Sequence, residues 1–440
     1  MGRQPFGIAS AAAWLGREGW DVTPVDIAKE RLEDDTLASA ELIAFHLPMH
    51  TATRLVGPVI VRARRLNRSA RLCAFGLYAP LNAAWLKSLG VDEVFGGEFE
   101  EALTRWAGLK AGTTPEAGRA DLQPLPRLKF LVPDRTRLLP LSKYATLQMP
   151  GGARRQVGYT EASRGCRHLC RHCPVVPMYG GQFRVVQAEV VLADIATQVA
   201  AGAGHITFGD PDFFNGPTHA MRLVEALHTA HPLVSYDVTI KVEHLRQHRD
   251  LLPRLAATGC AFVVSAVESI DDHVLALLDK GHTRADFLEA VALCRLAGVT
   301  LVPTFVAFHP WLTLDSYCEL LDTIASLDLI DHVAPIQLAI RLLIPRGSLL
   351  LTLDEIRLHV GPFDPATLTH RWSHPDPRVD DLQREITAIV GTRLTADRRA
   401  VFGQIRALAH ERAGHAGVAE QSRPARDRAT VPYLNEPWYC

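Results

Sequence analysis

The chain has 440 residues, of which 48% are hydrophobic and 22% charged, an ordinary globular mixture. That excludes a mainly disordered chain, a collagen-like chain and a disulfide-stapled miniprotein. Forty-seven basic residues against 48 acidic ones give a net charge of −1, which excludes capture of nucleic acid or membrane by bulk charge. No apolar run reaches the ~18 residues of a membrane span, and the N-terminus MGRQPFGIASAAAWL lacks the order of a signal peptide. The expected setting is cytoplasmic, with reduced thiols, no membrane partner and no nucleic-acid footprint.

Residues 1–108 alternate helix and strand patterns. GIASAAAWLGREG reads as a helix closed by glycine, WDVTPVDI and ELIAFHLP as strands, and GPVIVRARRLN as a helix. SARLCAFGLYA is a third strand, LNAAWLKSLG a helix and VDEVFGG a short strand. Such alternation predicts a parallel sheet covered by helices, a Rossmann-like α/β domain. The chain opens in what would be the first loop, so the first strand of such a unit is expected to be missing. His46 and His50 follow the ELIAFHLP strand. Their spacing invites a metal, but with no third ligand in view the preferred reading is a pair of satisfied loop histidines.

Residues 109–155 carry six prolines (115, 124, 126, 133, 140 and 150) and no long periodic segment, and read as a Pro-rich linker. From residue 156 to 345 the alternation resumes with longer units. The expected strands are QVGYTEAS, HITFGD, VSYDVTIKV, CAFVVSAVES, VTLVPTFVAF and VAPIQLAI. Their near-continuous apolar content is that of parallel strands buried on both faces, and six such units make a partial (β/α)6 barrel. Residues 346–440 read as a mostly helical extension, then a polar segment and the tail VPYLNEPWYC.

Cys73, Cys260, Cys294 and Cys318 lie singly in apolar surroundings and read as small buried hydrophobes. Cys166, Cys170 and Cys173 differ. They form C-x-x-x-C-x-x-C in YTEASRGCRHLCRHCPVVPMYGG, between a strand and a helix. Three thiolates in one loop can hold three irons of a cubane cluster and leave the fourth open to a small molecule. Arg164, Arg167 and Arg171 interleave with them and are expected to favour the thiolate state. A structural zinc site is the alternative. It needs a fourth ligand, for which His168 or His172 could serve, but the spacing lacks the usual two separated pairs.

This loop resembles the signature of the radical S-adenosylmethionine (SAM) superfamily, and the resemblance extends over about 155–345. It implies a 4Fe-4S cluster on Cys166, Cys170 and Cys173, and SAM as co-substrate. It places Gly209, Asp210, Pro211 and Asp212 at the methionine end of SAM. It makes Ser265 and Glu268 ribose contacts, and Arg184 and Arg341 (with Gln337 nearby) further candidates. Each outlying motif alone has a plainer reading, since an acidic residue at a strand end is often a solvated cap. LLDKGHTRADFLEA resembles the cobalamin-associated branch. Residues 1–108, ending in GGEFE (Gly96 to Glu100), resemble the cobalamin-binding module of that branch, although its Asp-x-His-x-x-Gly pattern is absent. Cobalamin is therefore a further candidate cofactor.

NEPWYC is similar to the segment before the tail of a radical SAM group ending in Cys-selenocysteine-Ala-Glu-Pro or Cys-Cys-Ala-Glu-Pro. Cys440 is then expected to be the first half of a redox pair, and the protein a selenoprotein. The implied activity is reductive cleavage of SAM to a 5′-deoxyadenosyl radical that modifies an unidentified small molecule or peptide. Electrons would come from a donor such as flavodoxin or ferredoxin. The alternatives are a cobalamin-dependent radical SAM methyltransferase and, outside enzymes, an iron–sulfur or cobalamin-binding sensor.

Overall fold

The computed structural model describes residues 2–109, 127–392, 397–415 and 431–435. Its first sheet holds β1 (Leu42–His46), β2 (Arg71–Phe75) and β3 (Glu93–Phe95), all parallel, in the order 1-2-3. Alternation along β2 sends Leu72 and Ala74 to one face, in a core with Leu47, Ile60 and Leu86. Cys73 and Phe75 go to the other, with Leu15, Leu103 and Trp106. Helices His50–Leu66 and Ala83–Ser88 on the first face, and Phe6–Arg17 and Glu100–Ala107 on the second, supply most of those partners, so both faces are covered. WDVTPVDI, expected as a strand, forms none. Pro24 removes a ladder donor at its centre, and the segment runs without regular structure to Asp26.

The second sheet begins with β4 (Thr146–Gln148) and β5 (Arg154–Thr160). The hairpin β6 (Ser163–Gly165) and β7 (Phe183–Val185) forms a small sheet of its own around the cysteine loop. Strands β8 (Ala203–Phe208), β9 (Ser235–Thr239), β10 (Cys260–Glu268) and β11 (Leu301–Phe305) then join β5 in sequential parallel order. Beyond them come the hairpin β12 (Val360–Asp364) with β13 (Thr369–Trp372), and β14 (Tyr433–Asn435). The sequential order, with a helix after each parallel strand, curls the sheet into a partial barrel.

Ile206, Phe208, Tyr236 and Val238 face the outer helices in the largest core. The alternate residues of β8 and β9 form a buried polar ladder on the opposite face. His205 meets Ser235 Oγ and Asp237 Oδ1 at 2.8 Å each, and Thr207 donates to Asp237 at 2.5 Å.

Three expectations change at the edges. The sixth strand is absent: Pro335–Leu338 is a turn of 3-10 helix, and a single bridge, Phe308 with Arg341, marks the strand's place. Pro335 starts that turn, and Gln337 turns back to accept from the Phe305 N–H at 3.2 Å. The end of the linker joins the barrel, with β4 antiparallel to β5 and β14 antiparallel to β4. The C-terminal extension adds the β12–β13 hairpin to its helices Pro377–Thr392 and Arg398–Ala413. Among the described residues no helix is long and apolar enough to cross a membrane.

Candidate functional site

The parallel barrel strands end on one rim, and the charged residues of the barrel gather there. The cysteine loop lies over it, held by β6, β7 and the short helix Val176–Tyr179. Cys166 and Cys170 are buried, Cys173 is half-buried, and all three are free thiols. The Cys166 N–H donates to Gln182 O at 3.1 Å and the Cys173 N–H to Cys170 O at 3.0 Å, fixing both ends of the loop. Asn215, just past β8, accepts from the Arg167 N–H at 3.2 Å and lies 3.8 Å from Cys166 Sγ.

The three arginines do not act on the thiols as expected. Arg164 turns away to Glu100 (2.6 Å), Glu161 (2.8 Å) and Glu98 (3.4 Å). Arg167 stacks on Phe183, and Arg171 donates to the carbonyls of Ala276 and Leu277. Burial instead pushes the Cys173 thiol up to about 12, against the pull of the Lys280 ammonium, and raises Cys166 as well. Three reduced thiols sharing one loop fit an iron–sulfur cluster, whose binding displaces thiol protons.

Glu268 closes β10. The pairing with β11 slips by one residue between Ala266 and Glu268, and Glu268 has φ +69°, unusual for a side chain of its size. Its carboxylate lies 3.2 Å from His172 Nε2 in the cysteine loop and 3.4 Å from the buried Lys280 ammonium. Burial would raise this carboxyl, but Lys280 and then His172 outweigh it and hold it near 2. The strained backbone thus aims a carboxylate that stays charged. Ser265, three residues earlier, has a buried Oγ with no hydrogen-bond partner. The Asn215 amide nitrogen is equally unpartnered. Such orphaned groups, one on the strand that Glu268 closes and one against Cys166, fit a site built to receive a polar cofactor.

The turn after β8 divides its labour. The Gly209 N–H donates to Thr160 O at 2.8 Å. Asp210, joined to Asp212 through Pro211, accepts from the Ala162 N–H and Ser163 Oγ at 2.9 and 2.6 Å, tying β8 to the start of the cysteine loop. Burial outweighs these bonds and pushes Asp210 up to about 6. Asp212 meets His244 at 2.7 Å and His168 at 3.4 Å, and these partners overcome burial and lower its carboxyl. Cys166, His168 and Asp212 bring their ligand atoms within 4.8 Å of one another.

The remaining candidates fall elsewhere. Arg184 sits on β7 opposite Arg164 and donates to Gln182 Oε1 and Phe183 O at 3.1 Å each. Arg341, expected beside the cofactor, is taken up by the C-terminal extension. It donates to Asp380 (2.7 Å) and Trp372 O (2.8 Å) with its guanidinium 3.5 Å over the Trp372 ring. His46 is stacked on Phe75, and burial holds it down at about 3. His50 meets Thr367 O at 2.7 Å. Both are satisfied or buried rather than paired around a metal. Cys440 lies outside the described residues. Sequence reasoning missed Lys280, His244 and Asn215 at this rim, and weighed His168 only as a fourth ligand for zinc. The one local signal was LLDKGH, where a lysine stops a helix twelve residues after Glu268.

The GGEFE segment docks the first domain on the cysteine loop. Tyr179 donates to Glu98 at 3.2 Å, and Arg164 bridges Glu98 and Glu100. A Cβ on Gly96 would fall 2.6 Å from Met178 Cε and 2.2 Å from Pro80 Cγ, so the close approach requires glycine. Burial, opposed by Arg164, pushes Glu98 up to about 7.

Residues 160–324 match the family model of the radical SAM superfamily. A Methanocaldococcus jannaschii protein named for methylthiotransferase activity is 26% identical over 338 residues, covering 74% of this chain and 73% of that one. The cobalamin-dependent SAM radical enzyme OxsB, solved with aqua-cobalamin and SAM, superposes with TM-score 0.67 at 15% identity, over 89% of this chain and 65% of that one. The radical SAM methyltransferase TsrM of Kitasatospora setae, solved with tryptophan and a SAM analogue, gives TM-score 0.56 at 18% identity, over 74% and 69%. The barrel region 160–324 is a radical SAM domain, and such a domain implies an enzyme that uses a 4Fe-4S cluster and SAM.

Proposed function

We propose that Cys166, Cys170 and Cys173 ligate the cluster and that Gly209 to Asp212, Ser265 and Glu268 hold SAM across the barrel rim. The observation that carries this assignment is Glu268. Its charged carboxylate, aimed by a bulged and left-handed backbone, lies against the cysteine loop through His172. Held by these residues, a reduced cluster would supply one electron to SAM, whose sulfonium carbon–sulfur bond would then cleave to methionine and a 5′-deoxyadenosyl radical. Glu268 is placed to accept from ribose hydroxyls, and Lys280 keeps it ionised. Ser265 Oγ offers a hydroxyl with no protein partner to compete for it. Asp210 acts by positioning, since both its oxygens are used in tying the loop to β8. The reduced thiols suit a cytoplasmic setting and a donor such as flavodoxin or ferredoxin.

The test is anaerobic reconstitution and reduction with dithionite in the presence of SAM, with 5′-deoxyadenosine read by mass spectrometry. We expect product that disappears in the Cys166→Ala, Cys170→Ala, Cys173→Ala triple variant. A brown protein that leaves SAM intact would support the sensor reading instead.

A second reading, cobalamin-dependent methyl transfer, is favoured by the docking of the first domain on the cysteine loop through Gly96, Glu98 and Tyr179. The relatives OxsB and TsrM, whose structures were solved with cobalamin, support it. It predicts that hydroxocobalamin added during refolding stays with the protein through gel filtration. The tail reading, in which Cys440 precedes a selenocysteine, is checked by the codons after position 440: TGA followed by Ala-Glu-Pro codons is expected.

A further inference from the structure

Among the described residues, one cluster of ligating side chains outside the barrel rim has no part in SAM chemistry. The helix Leu314–Ser326, which follows β11, carries Asp315, Cys318 and Asp322 at helical spacing on one face. The C-terminal helix Arg398–Ala413 packs against it through Val401, Phe402 and Ile405, in the same core as Tyr317 and Leu321. That second helix ends in HERAGH. Gly414 takes φ +78°, the His415 N–H donates to His410 O at 2.9 Å, and the Gly414 N–H donates to Glu411 O at 3.1 Å. This left-handed glycine termination folds His415 back over His410.

The result is convergent. Cys318 and the two histidines bring ligand atoms within 4.8 Å of one another. His410 Nδ1 and His415 Nδ1 are 3.2 Å apart. The other nitrogen of each ring already has a carboxylate: His410 Nε2 lies 3.2 Å from Asp322, and His415 Nε2 2.9 Å from Asp315. Arg406 in turn holds Asp322 at 2.7 Å. Each Nε2–H donating to a carboxylate leaves each Nδ1 as a lone pair, and two lone pairs then face each other beside a thiol. Something positive belongs between them. A proton shared by the rings would serve two histidines, but it gives the Cys318 sulfur nothing to do.

We propose that Cys318, His410 and His415 bind a zinc-like divalent cation that clamps the C-terminal helix to the barrel. One sulfur and two imidazole nitrogens suit Zn2+, with water at the fourth position. Both histidines then have the carboxylate partners that orient metal-bound imidazoles. Cys318 and His410 are buried while His415 is exposed, so the cation has a route from solvent.

The test uses the full chain with its cluster reconstituted, desalted, and titrated with Zn2+ against a chromophoric chelator, with metal content read by mass spectrometry. We expect one zinc equivalent beyond the cluster iron. It should persist in the triple variant of Cys166, Cys170 and Cys173, which separates this site from the cysteine loop. In His415→Ala, an exposed and fold-neutral change, affinity should fall at least tenfold. In Asp315→Asn it should fall within the 10–100-fold range typical of such supporting partners. No retained zinc in the wild-type chain, or equal affinity in wild type and His415→Ala, would overturn the proposal in favour of a shared proton.

Discussion

At the carboxyl edge of the three-stranded sheet, His46 is packed against Phe75 and kept neutral by burial. At the carboxyl edge of the barrel sheet, Glu268, Asp212 and Lys280 stay in ion pairs, with Ser265 Oγ and the Asn215 amide nitrogen left unpartnered among them. The two sheets share parallel pairing and helical cover, yet one edge is sealed and the other keeps its polar groups available. The first domain places its buried charge elsewhere, on Glu98 and Glu100 facing Arg164 of the cysteine loop. That contrast assigns docking to one sheet and chemistry to the other.

The strongest way to break it is to remove the docking charge. Arg164→Ala leaves Glu98, Glu100 and Glu161 without their cation in a buried setting. The expected loss is about 3–5 kcal/mol of stability, measured by urea denaturation of the full chain. A loss below about 1 kcal/mol would mean that the interface does not depend on this network.

A second perturbation reads the same network by pH. The Glu98 carboxyl, raised from 4.5 to about 7, contributes stability that is present below pH 4.5 and lost as pH rises through 7. Its ionisation costs the folded state on the order of 1–3 kcal/mol across that window. Glu98→Gln should flatten the corresponding segment of the Tm-against-pH curve, and an unchanged slope would place the titration on another group.

The smallest expected effect sharpens the other side of the comparison. Glu268→Gln keeps the shape but removes the charge that Lys280 and His172 support. SAM cleavage should fall about tenfold in kcat/KM, equivalent to about 1.4 kcal/mol of transition-state binding, and some stability should go with it because the buried Lys280 ammonium loses its carboxylate partner. Equal kinetics for the two proteins would remove Glu268 from the site.

Which parts of the site could be read in the sequence follows from distance along the chain. The cysteine loop was plain because its three cysteines lie within eight residues, between elements whose periodicity is strong. The five parallel strands were equally plain, since buried strands are near-continuous apolar runs. Arg341 misled because a guanidinium's direction depends on what reaches it, and Trp372 and Asp380 come from a later segment. Lys280 and His244 were hidden for the same reason: their partners meet only when separate strand ends share a rim. Cys318 was read as a small hydrophobe. It is buried as such a residue would be, but HERAGH, which brings two rings beside it, carries no apolar period to draw attention to it.

The antiparallel pair β4–β14 has a consequence for how the chain is made. Tyr433 to Asn435 cover β4, the outermost barrel strand of the first half of the chain, with backbone from its far end. Until that late segment leaves the ribosome, β4 presents unpaired N–H and C=O groups, the kind of template on which neighbouring chains pair. Contacts of such long sequence separation also form slowly. A nascent chain stopped before residue 431 should therefore be the form most prone to clump during synthesis. A pulse-labelled comparison of pelletable full-length and shortened chains would show it, and equal pelleting would show that β4 needs no cover.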